Sequence, residues 1–388
     1  MAEPSLVFPA DEFRARTARL QDAMADRHID ALLLTAPADI FYLTGFLTRF
    51  WESPARPWFV LVPSAHPPVA VIPSIGAILM GRSWIADIRT WEAPHPDDDG
   101  VNLLADTIAE FVPKRGILGL PMGRETHLRM PLDDFHRLAA VLDPCRLVDA
   151  TEVVQRIREV KSGAEIAKIG TICRIAGEAF SAIGQSVRAG MPLDRIFRDF
   201  QIQLLQAGAD WVSYVAGAAG RDGYRDVISP ATSEPLAEGD VLMLDTGAVK
   251  DGYFCDFDRN LFIGAPTSAV MHTYDALWGA TEDALETLRP GLRACDAYRM
   301  LAEGLERRGA RPCTGRFGHG VGISLTEWPS LAPHDTTELR EGMVLAIEPS
   351  AFVGPETFLV HEENVVLRAD GPELLSHRAP RHVREVAL

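Results

Sequence analysis

The sequence predicts two domains of mixed helices and strands: an α/β domain running to about Asp149, then a larger domain that opens on a long helix. Three observations carry this. A chain of 388 residues is long for one hydrophobic core and comfortable for two. Helix-period segments and short apolar runs alternate up to Asp149. From Ala150 the pattern changes to a long helical stretch, with no Gly/Ser linker marking the change.

In chain order, residues 11–27 place Phe13, Leu20 and Met24 on one helical face with Arg and Asp between them. Residues 29–35 form a short apolar run ending in a turn, which reads as a buried strand. Strand-like runs follow at 59–63 and 69–72, and helices at 102–111 and 133–139. In the second domain Ser162-Gly-Ala-Glu165 has the spacing of a capping box ahead of Ile166, Ile169 and Ile172. A helix follows Pro192, and two more are expected over 271–288 and 294–308. Strand-like runs lie at 241–246, 253–262, 344–347 and 357–366. No repeat of fixed period is present.

Composition narrows the function classes. With 47% hydrophobic and 24% charged residues the chain is globular rather than disordered. A formal net charge of -16 argues against a nucleic-acid partner, because phosphate is bound through clustered Lys and Arg. The five cysteines, Cys145, Cys173, Cys255, Cys295 and Cys313, form no C-x-x-C pair and read as free thiols. Residues 1–10 lack a basic region and an apolar stretch, and no run approaches a membrane span, so a cytoplasmic protein with no membrane partner is expected.

The chemistry concentrates beyond residue 240. Residues 244–258 read as a β-hairpin: Asp245 ends an apolar strand, Asp251-Gly252 is a turn signal, and Asp256 sits on the returning strand. Carboxylates among apolar strand residues are costly to bury unless a positive group meets them, and a metal ion is one such group. Asp256 and Asp258, two apart, point to the same face of a strand. His319 lies between Gly318 and Gly320, which allow close backbone approach around a ligand. Glu348 closes the apolar run 344–347. In residues 359–367, His361 and Glu363 share one face and Glu362 takes the other. Singly, each acid reads as a solvated charge; four acids and a histidine in such settings point to a metal.

In order and spacing, Asp245, Asp256, His319, Glu348 and Glu363 resemble the five-ligand pattern of the creatinase, prolidase and aminopeptidase P superfamily. The local matches are Asp245-Thr-Gly, Gly252-Tyr-Phe-Cys-Asp256, Gly318-His-Gly-Val-Gly322, Gly342-Met-Val-Leu-Ala-Ile-Glu-Pro349 and Glu363-Asn-Val-Val-Leu. The likeness covers nearly the whole chain, including Tyr42-Leu-Thr-Gly-Phe46 and the Val160-Lys-Ser start of the second domain. It implies a creatinase-like α/β N-terminal domain over 1–155, an α+β pita-bread catalytic domain over 156–388, and a homodimer. It also implies two divalent metal ions, with Asp245, Asp256 and Glu363 holding one and Asp256, His319, Glu348 and Glu363 the other. Such oxygen-rich ligands with one imidazole suit Mn, Fe, Co or Zn. Two close cations lower the pKa of a shared water, for which Glu348 is the expected base.

The chain departs from the family's proline-specific peptidases at three histidines, replaced by Ile228, Gly315 and Thr326. His361 stands where an Arg is often found and is expected to face the metals; Asp258 stands where Thr or Ser is usual. The expected catalytic set is therefore Glu348, His361 and Asp258, with His361 or Asp258 moving the proton the missing histidines moved. A second role open to Asp258 is hydrogen bonding or pairing with Arg259. Thr326-Glu-Trp-Pro-Ser330 resembles a segment of a metal-dependent dimethylsulfoniopropionate lyase of the superfamily, and Trp and Tyr faces can cage quaternary cations. Thr326, Trp328 and Tyr224 are accordingly assigned to substrate binding.

Three functions follow. The first is a binuclear metallohydrolase resembling Xaa-Pro dipeptidases, cleaving a C–N bond of a dipeptide or small molecule with a metal-activated water. The second is a metal-dependent lyase or hydrolase of a betaine- or dimethylsulfoniopropionate-type zwitterion. The third is a non-catalytic peptidase homologue. The intact ligand set weighs against the third, and the missing histidines weigh against the first.

Overall fold

Contacts divide the chain into two units, with the division between Arg158 and Glu159. The structure is a computed structural model describing residues 7–54, 56–383 and 385–386; part of the N-terminal segment read for a leader, residues 1–6, lies outside them.

In the first unit, helices α1 (Ala10–Ala25), α2 (Pro37–Thr44), α3 (Ala77–Met80), α4 (Val101–Phe111) and α5 (Leu132–Leu142) accompany six strands. These are β1 (Ala31–Leu34), β2 (Phe59–Pro63), β3 (Val69–Pro73), β4 (Asp87–Trp91), β5 (Ile117–Leu120) and β6 (Arg146–Asp149), in the sheet order β4-β3-β2-β1-β5-β6. Strands β1, β2 and β3 are buried at every position, which is why their sequences run continuously apolar instead of alternating. The edge strands β4 and β6 escape a sequence reading for the opposite reason. Asp-Ile-Arg-Thr-Trp and Arg-Leu-Val-Asp are half exposed and carry few apolar residues. Helix α6 (Thr151–Glu159) runs across the division.

The second unit opens on α7 (Gly163–Ser186), whose capping box is formed. Ser162 Oγ accepts from the Glu165 amide at 3.3 Å, and Glu165 Oε2 accepts from the Ser162 amide at 2.9 Å. Helix α8 (Leu193–Ala207) packs on it. Next come β7 (Trp211–Gly220), β8 (Val241–Lys250), β9 (Tyr253–Phe254), β10 (Phe257–Ile263), α9 (Ser268–Thr287) and α10 (Ala294–Arg307). Short strands β11 (Arg311–Pro312), β12 (Gly318–Gly320), β13 (Glu327–Ser330), β14 (Val344–Ile347), β15 (Ser350–Phe352), β16 (Phe358–Val360), β17 (Glu363–Arg368), β18 (Gly371–Leu374) and β19 (Glu385–Val386) complete it.

Two sheets carry the chemistry. One has the order β19-β10-β8-β7 with β9 on β8, and the other the order β13-β12-β14-β17-β18. A core of Leu277, Ala280, Leu301, Leu345, Ile347 and Val365 binds α9 and α10 to the second sheet. Among the described residues, no helix is long and apolar enough to cross a membrane.

Two runs that read as single strands are each broken in two. The run 253–262 breaks at Cys255-Asp256, and 357–366 breaks at His361-Glu362. At the first break the Asn364 side chain takes the place of a strand neighbour. Its Oδ1 accepts from the Asp256 amide at 2.8 Å and its Nδ2 donates to the Asp256 carbonyl at 2.5 Å. At the second, the Glu362 amide donates to Asp258 Oδ1 at 2.6 Å. Side chains thus satisfy backbone groups that leave the ladder, as buried backbone requires.

Candidate metal centre

Asp245 lies in the middle of β8, paired across the sheet with Ala216 of β7 on one side and Asp258 of β10 on the other. A bulge in β7 between Val212 and Val215, pinned by Thr246 Oγ1 on the Tyr214 carbonyl at 3.1 Å, displaces Tyr214 from the regular pairing. The Tyr214 hydroxyl lies 2.7 Å from Asp245 Oδ2 and 2.7 Å from Asp256 Oδ1. One hydroxyl proton cannot serve both carboxylates, so this trio is a donor short. Gly247 makes room for the ring: a Cβ there would stand 2.5 Å from Tyr214 Cε1 and 2.7 Å from Leu325 Cδ1.

On β12, His319 turns Nε2 to Asp256 Oδ2 at 3.2 Å and to Glu348 Oε1 at 3.8 Å. Its Nδ1 lies 2.9 Å from the Gly320 carbonyl. That carbonyl can only accept, so it fixes the proton on Nδ1 and leaves the Nε2 lone pair for a ligand, the usual tautomer of a metal-binding histidine. Glu362 completes the group: Asp256, His319 and Glu362 each offer a ligand atom, all within 4.8 Å of one another, and all three residues are buried.

Crowded, buried acids call for neutralisation, by protons or by a cation. Burial, then the charge of Asp256, pushes the Asp245 carboxyl well above the ordinary carboxylate range. Burial, then Asp256 and Asp245, does the same to Glu362. Glu348 is raised by burial, against the opposing pull of His319 and Arg316. Among the described residues no Lys or Arg pairs with Asp245, Asp256 or Glu362, and the buried atoms Asp245 Oδ1 and Glu362 Oε1 have no hydrogen-bond partner. Buried acids around one imidazole, with two orphaned oxygens, fit a divalent metal of the Mn, Fe, Co or Zn type.

The structure places several sequence-assigned residues elsewhere. Glu363 was expected among the ligands, but Oε2 accepts from Arg259 Nη2 at 2.9 Å and from Ser376, while Oε1 accepts from the Ala379 amide at 2.7 Å and Arg378 Nη1 at 3.1 Å. Burial alone would raise its carboxyl; these partners, Arg259 foremost, hold it below the ordinary range. The reason is strand alternation, by which a one-residue choice exchanges the two faces. His361 goes with Glu363, its Nε2 lying 2.5 Å from Arg378 Nη1. Burial pushes it down to about 3, so it is a neutral acceptor away from the acid cluster rather than a proton carrier facing it.

Asp258 is buried behind Glu362, one oxygen on the Glu362 amide and the other 3.0 Å from Asn260 Nδ2, and burial raises its carboxyl to about 8. It positions Glu362. Arg259 bonds its carbonyl, not its carboxylate. Tyr224 was assigned to substrate, but it is a core residue whose hydroxyl accepts from the Val360 amide at 2.6 Å and donates to Asn260 at 3.2 Å.

Of the three positions that lack histidines, Ile228 is 87% exposed and Gly315 has open space around it. Thr326 is the one tied to the cluster: Arg316 Nη2 donates to Thr326 Oγ1 at 3.3 Å while Arg316 Nε donates to Glu348 Oε1 at 3.3 Å. The loop that carries Thr326 is clamped by Glu327, whose Oε1 accepts from the Ile323 and Ser324 amides at 3.0 and 3.1 Å. Its Oε2 meets Lys161 Nζ at 3.0 Å, a fully buried ion pair. Trp328 follows on β13, half buried. Glu362, Tyr214, Arg316 and Asn364 are the residues sequence reasoning did not assign to the site. Alternation separated Glu362 from its neighbour Glu363, Tyr214 stands among the aromatics near the motifs, and Asn364 follows Glu363 in its motif; nothing in the sequence flagged Arg316.

Comparison with known proteins bears on the family and the fold. The model of metallopeptidase family M24 matches residues 167–369, and that of the creatinase/prolidase N-terminal domain matches residues 16–160. A probable dipeptidase PepE from Mycobacterium tuberculosis is 27% identical over 371 residues, 94% of this chain and 94% of the relative. An ectoine hydrolase from Halomonas elongata is 25% identical over 419 residues, 97% of this chain and 99% of the relative. The crystal structure of dipeptidase PepE from Mycobacterium ulcerans superposes with a TM-score of 0.85 at 23% identity, covering 98% of this chain and 100% of that one. The fold is therefore a creatinase-type α/β domain followed by a pita-bread catalytic domain, and the chain belongs to metallopeptidase family M24 as a metallohydrolase that uses divalent metal ions.

Proposed function

We propose that the protein is a dipeptidase of the Xaa-Pro type that cleaves a C–N bond at a centre of two divalent metal ions. Asp245, Asp256, His319, Glu348 and Glu362 would hold the pair, with Glu362 in the place first given to Glu363. The observation that carries this is the pair of orphaned buried oxygens, Asp245 Oδ1 and Glu362 Oε1, beside an imidazole with a free Nε2 lone pair. When bound, such ions supply Lewis acidity and a water acidic enough to ionise near neutral pH.

The chain's own groups do the rest. Glu348, with a side chain 23% exposed at the rim of the acid cluster, would take the water's proton and return it to the leaving nitrogen. Tyr214 holds the Asp245 and Asp256 carboxylates at a fixed separation. Asp258 and Asn364 fix the backbone on either side of the acid pair.

A second reading, hydrolysis of a small zwitterion, is favoured by the replacement of the three histidines and by the relative that hydrolyses ectoine. The homodimer and the cytoplasmic location belong to the same proposal. The experiment is elemental analysis of the purified protein, followed by assay of Xaa-Pro dipeptides, other dipeptides and ectoine with added Mn²⁺. About two metal equivalents with dipeptide turnover support the first reading. Turnover of ectoine alone transfers the assignment to the second, and light scattering reports the oligomer.

A further inference from the structure

A cleft of about 380 Å³ lies between α7, β10 and the segment 377–383, within the size range of small-molecule sites. It is separate from the metal centre. Arg259 and Arg378, which line it, meet Glu363, the carboxylate that faces away from the acid cluster. Phe180 and Leu261 give the cleft an apolar wall, and α7 leaves it open by presenting Gly177 and Gly184. A Cβ at Gly177 would stand 2.6 Å from His377 Nδ1, so the glycine is what admits the imidazole against the helix.

The polar lining is one-sided. No acidic residue lines the cleft, in a chain whose formal net charge is -16. Arg259 has Nη1 engaged by the Asp258 and Glu362 carbonyls, and Nη2 by Glu363 Oε2 and the His377 carbonyl. Its Nε makes no hydrogen bond among the described residues and is not one of the buried, unpartnered atoms, so this donor is open to a ligand. The guanidinium lies 5.9 Å from the Phe180 ring centroid, which sets the free N–H beside the apolar wall. Both Nη groups of Arg378 are engaged, by His361, Glu363, Glu282 and the Trp278 carbonyl, so that residue contributes positive field rather than a donor. Gln185, exposed on α7, adds a side-chain amide.

We propose that this cleft binds a small organic carboxylate with an apolar body, at a site distinct from the metal centre. The carboxylate meets Arg259 Nε and the Gln185 amide, and the body lies against Phe180 and Leu261. A charge-assisted hydrogen bond fixes the acid end, and the local excess of positive charge selects an anion that the rest of the acidic surface repels. The apolar wall distinguishes such a ligand from an inorganic anion, which would leave that wall uncovered.

The test is calorimetry of the metal-loaded protein with 4-phenylbutyrate, uncharged 4-phenylbutanol and inorganic phosphate. The acid should bind with a Kd of about 1 mM or tighter, and at least about tenfold more tightly than the alcohol or phosphate. Gly184→Leu fills the cleft from α7; its Cβ would meet only Leu261 Cδ2 within 4 Å, at an ordinary 3.7 Å, and leucine is a better helix former than glycine. It should weaken 4-phenylbutyrate at least about tenfold. Gln185→Glu sets a negative charge at the cleft and should weaken the acid at least about threefold, while Gln185→Lys should tighten it. Both positions lie outside the acid cluster, so these changes separate the cleft from carboxylate binding at the metals. Affinity for the acid within twofold of wild type in either Gly184→Leu or Gln185→Glu overturns the proposal, as does equal binding of acid and alcohol. Phosphate binding as tight as 4-phenylbutyrate reduces the cleft to an adventitious anion site. A smaller oligomer in light scattering of Gly184→Leu assigns the cleft to a second copy of the chain, and the carboxylate reading falls.

Discussion

Glu362 and Glu363 are neighbours in the chain that face opposite ways, Glu362 toward Asp256 and His319 and Glu363 toward Arg259 and Arg378. The two positions should therefore fail differently. Glu363→Gln weakens the counter-ion of two part-buried guanidinium groups and should cost about 1–3 kcal/mol of stability in a denaturant titration. Glu362→Gln removes a carboxylate that already repels its neighbours, so the metal-free variant should be at least as stable as the wild type. Its metal content, read by elemental analysis, should fall and activity should drop at least about a hundredfold. The reverse pattern would restore Glu363 to the ligand set.

That pair also shows how far the sequence carries. Asp245, Asp256, His319 and Glu348 stand out in the sequence because each lies in or directly beside an apolar strand, or between glycines, where an unpaired polar group is costly. Alternation correctly separated His361 and Glu363 from Glu362; it could not say which face meets the acids, because both faces of β17 are buried. The breaks at Cys255-Asp256 and His361-Glu362 were invisible, since they depend on Asn364 and Asp258 replacing ladder hydrogen bonds from a distance in sequence. Tyr214 and Arg316 reach the site by a bulge and by a long flexible side chain, and neither leaves a periodic trace. In the first unit, the buried strands β1 to β3 announced themselves, and the half-exposed edges did not.

Gly247 offers a test of how tightly the cluster is packed. A methyl group there meets Tyr214 and Leu325 at distances real Cβ atoms do not show, so one ring or one loop has to move. Gly247→Ala should cost about 1–3 kcal/mol in thermal or chemical unfolding. Because Tyr214 bonds both Asp245 and Asp256, kcat/KM should also fall at least about tenfold. Wild-type activity in this variant would show that the Tyr214 bonds are not needed for catalysis.

The buried Lys161–Glu327 pair should be a stability determinant first and an activity determinant second. Lys161→Met removes the ammonium that Glu327 meets at 3.0 Å inside the fold, and breaking such a buried pair costs about 3–5 kcal/mol. Replacing both partners, Lys161→Met with Glu327→Leu, removes the stranded charge and should recover part of that loss. It also frees the Ile323 and Ser324 amides, so the Thr326 loop should loosen and KM should rise although the fold returns. Denaturant midpoints and Michaelis kinetics on the three variants separate these effects.

Far from the cluster, Asp283 on α9 accepts from Arg308 Nη1 and Nη2, both at 2.8 Å, just beyond the end of α10. Those bonds hold its carboxyl below the ordinary carboxylate value, with Arg308 the chief cause. A carboxyl that is more acidic folded than unfolded binds fewer protons in the native state. Its contribution is therefore complete above the unfolded value of about 3.9 and is lost as pH falls through the folded value. Asp283→Asn should lower stability near neutral pH by less than about 1 kcal/mol, because both partners are part-exposed and screened. The gap between variant and wild type should close as the solution is acidified below the folded value, and it should shrink at high salt. A gap that stays constant from neutral to strongly acid pH would mean that Arg308 is held by packing against Gly279, where a Cβ would come within 2.4 Å of its Nε, and that the charge of Asp283 contributes nothing.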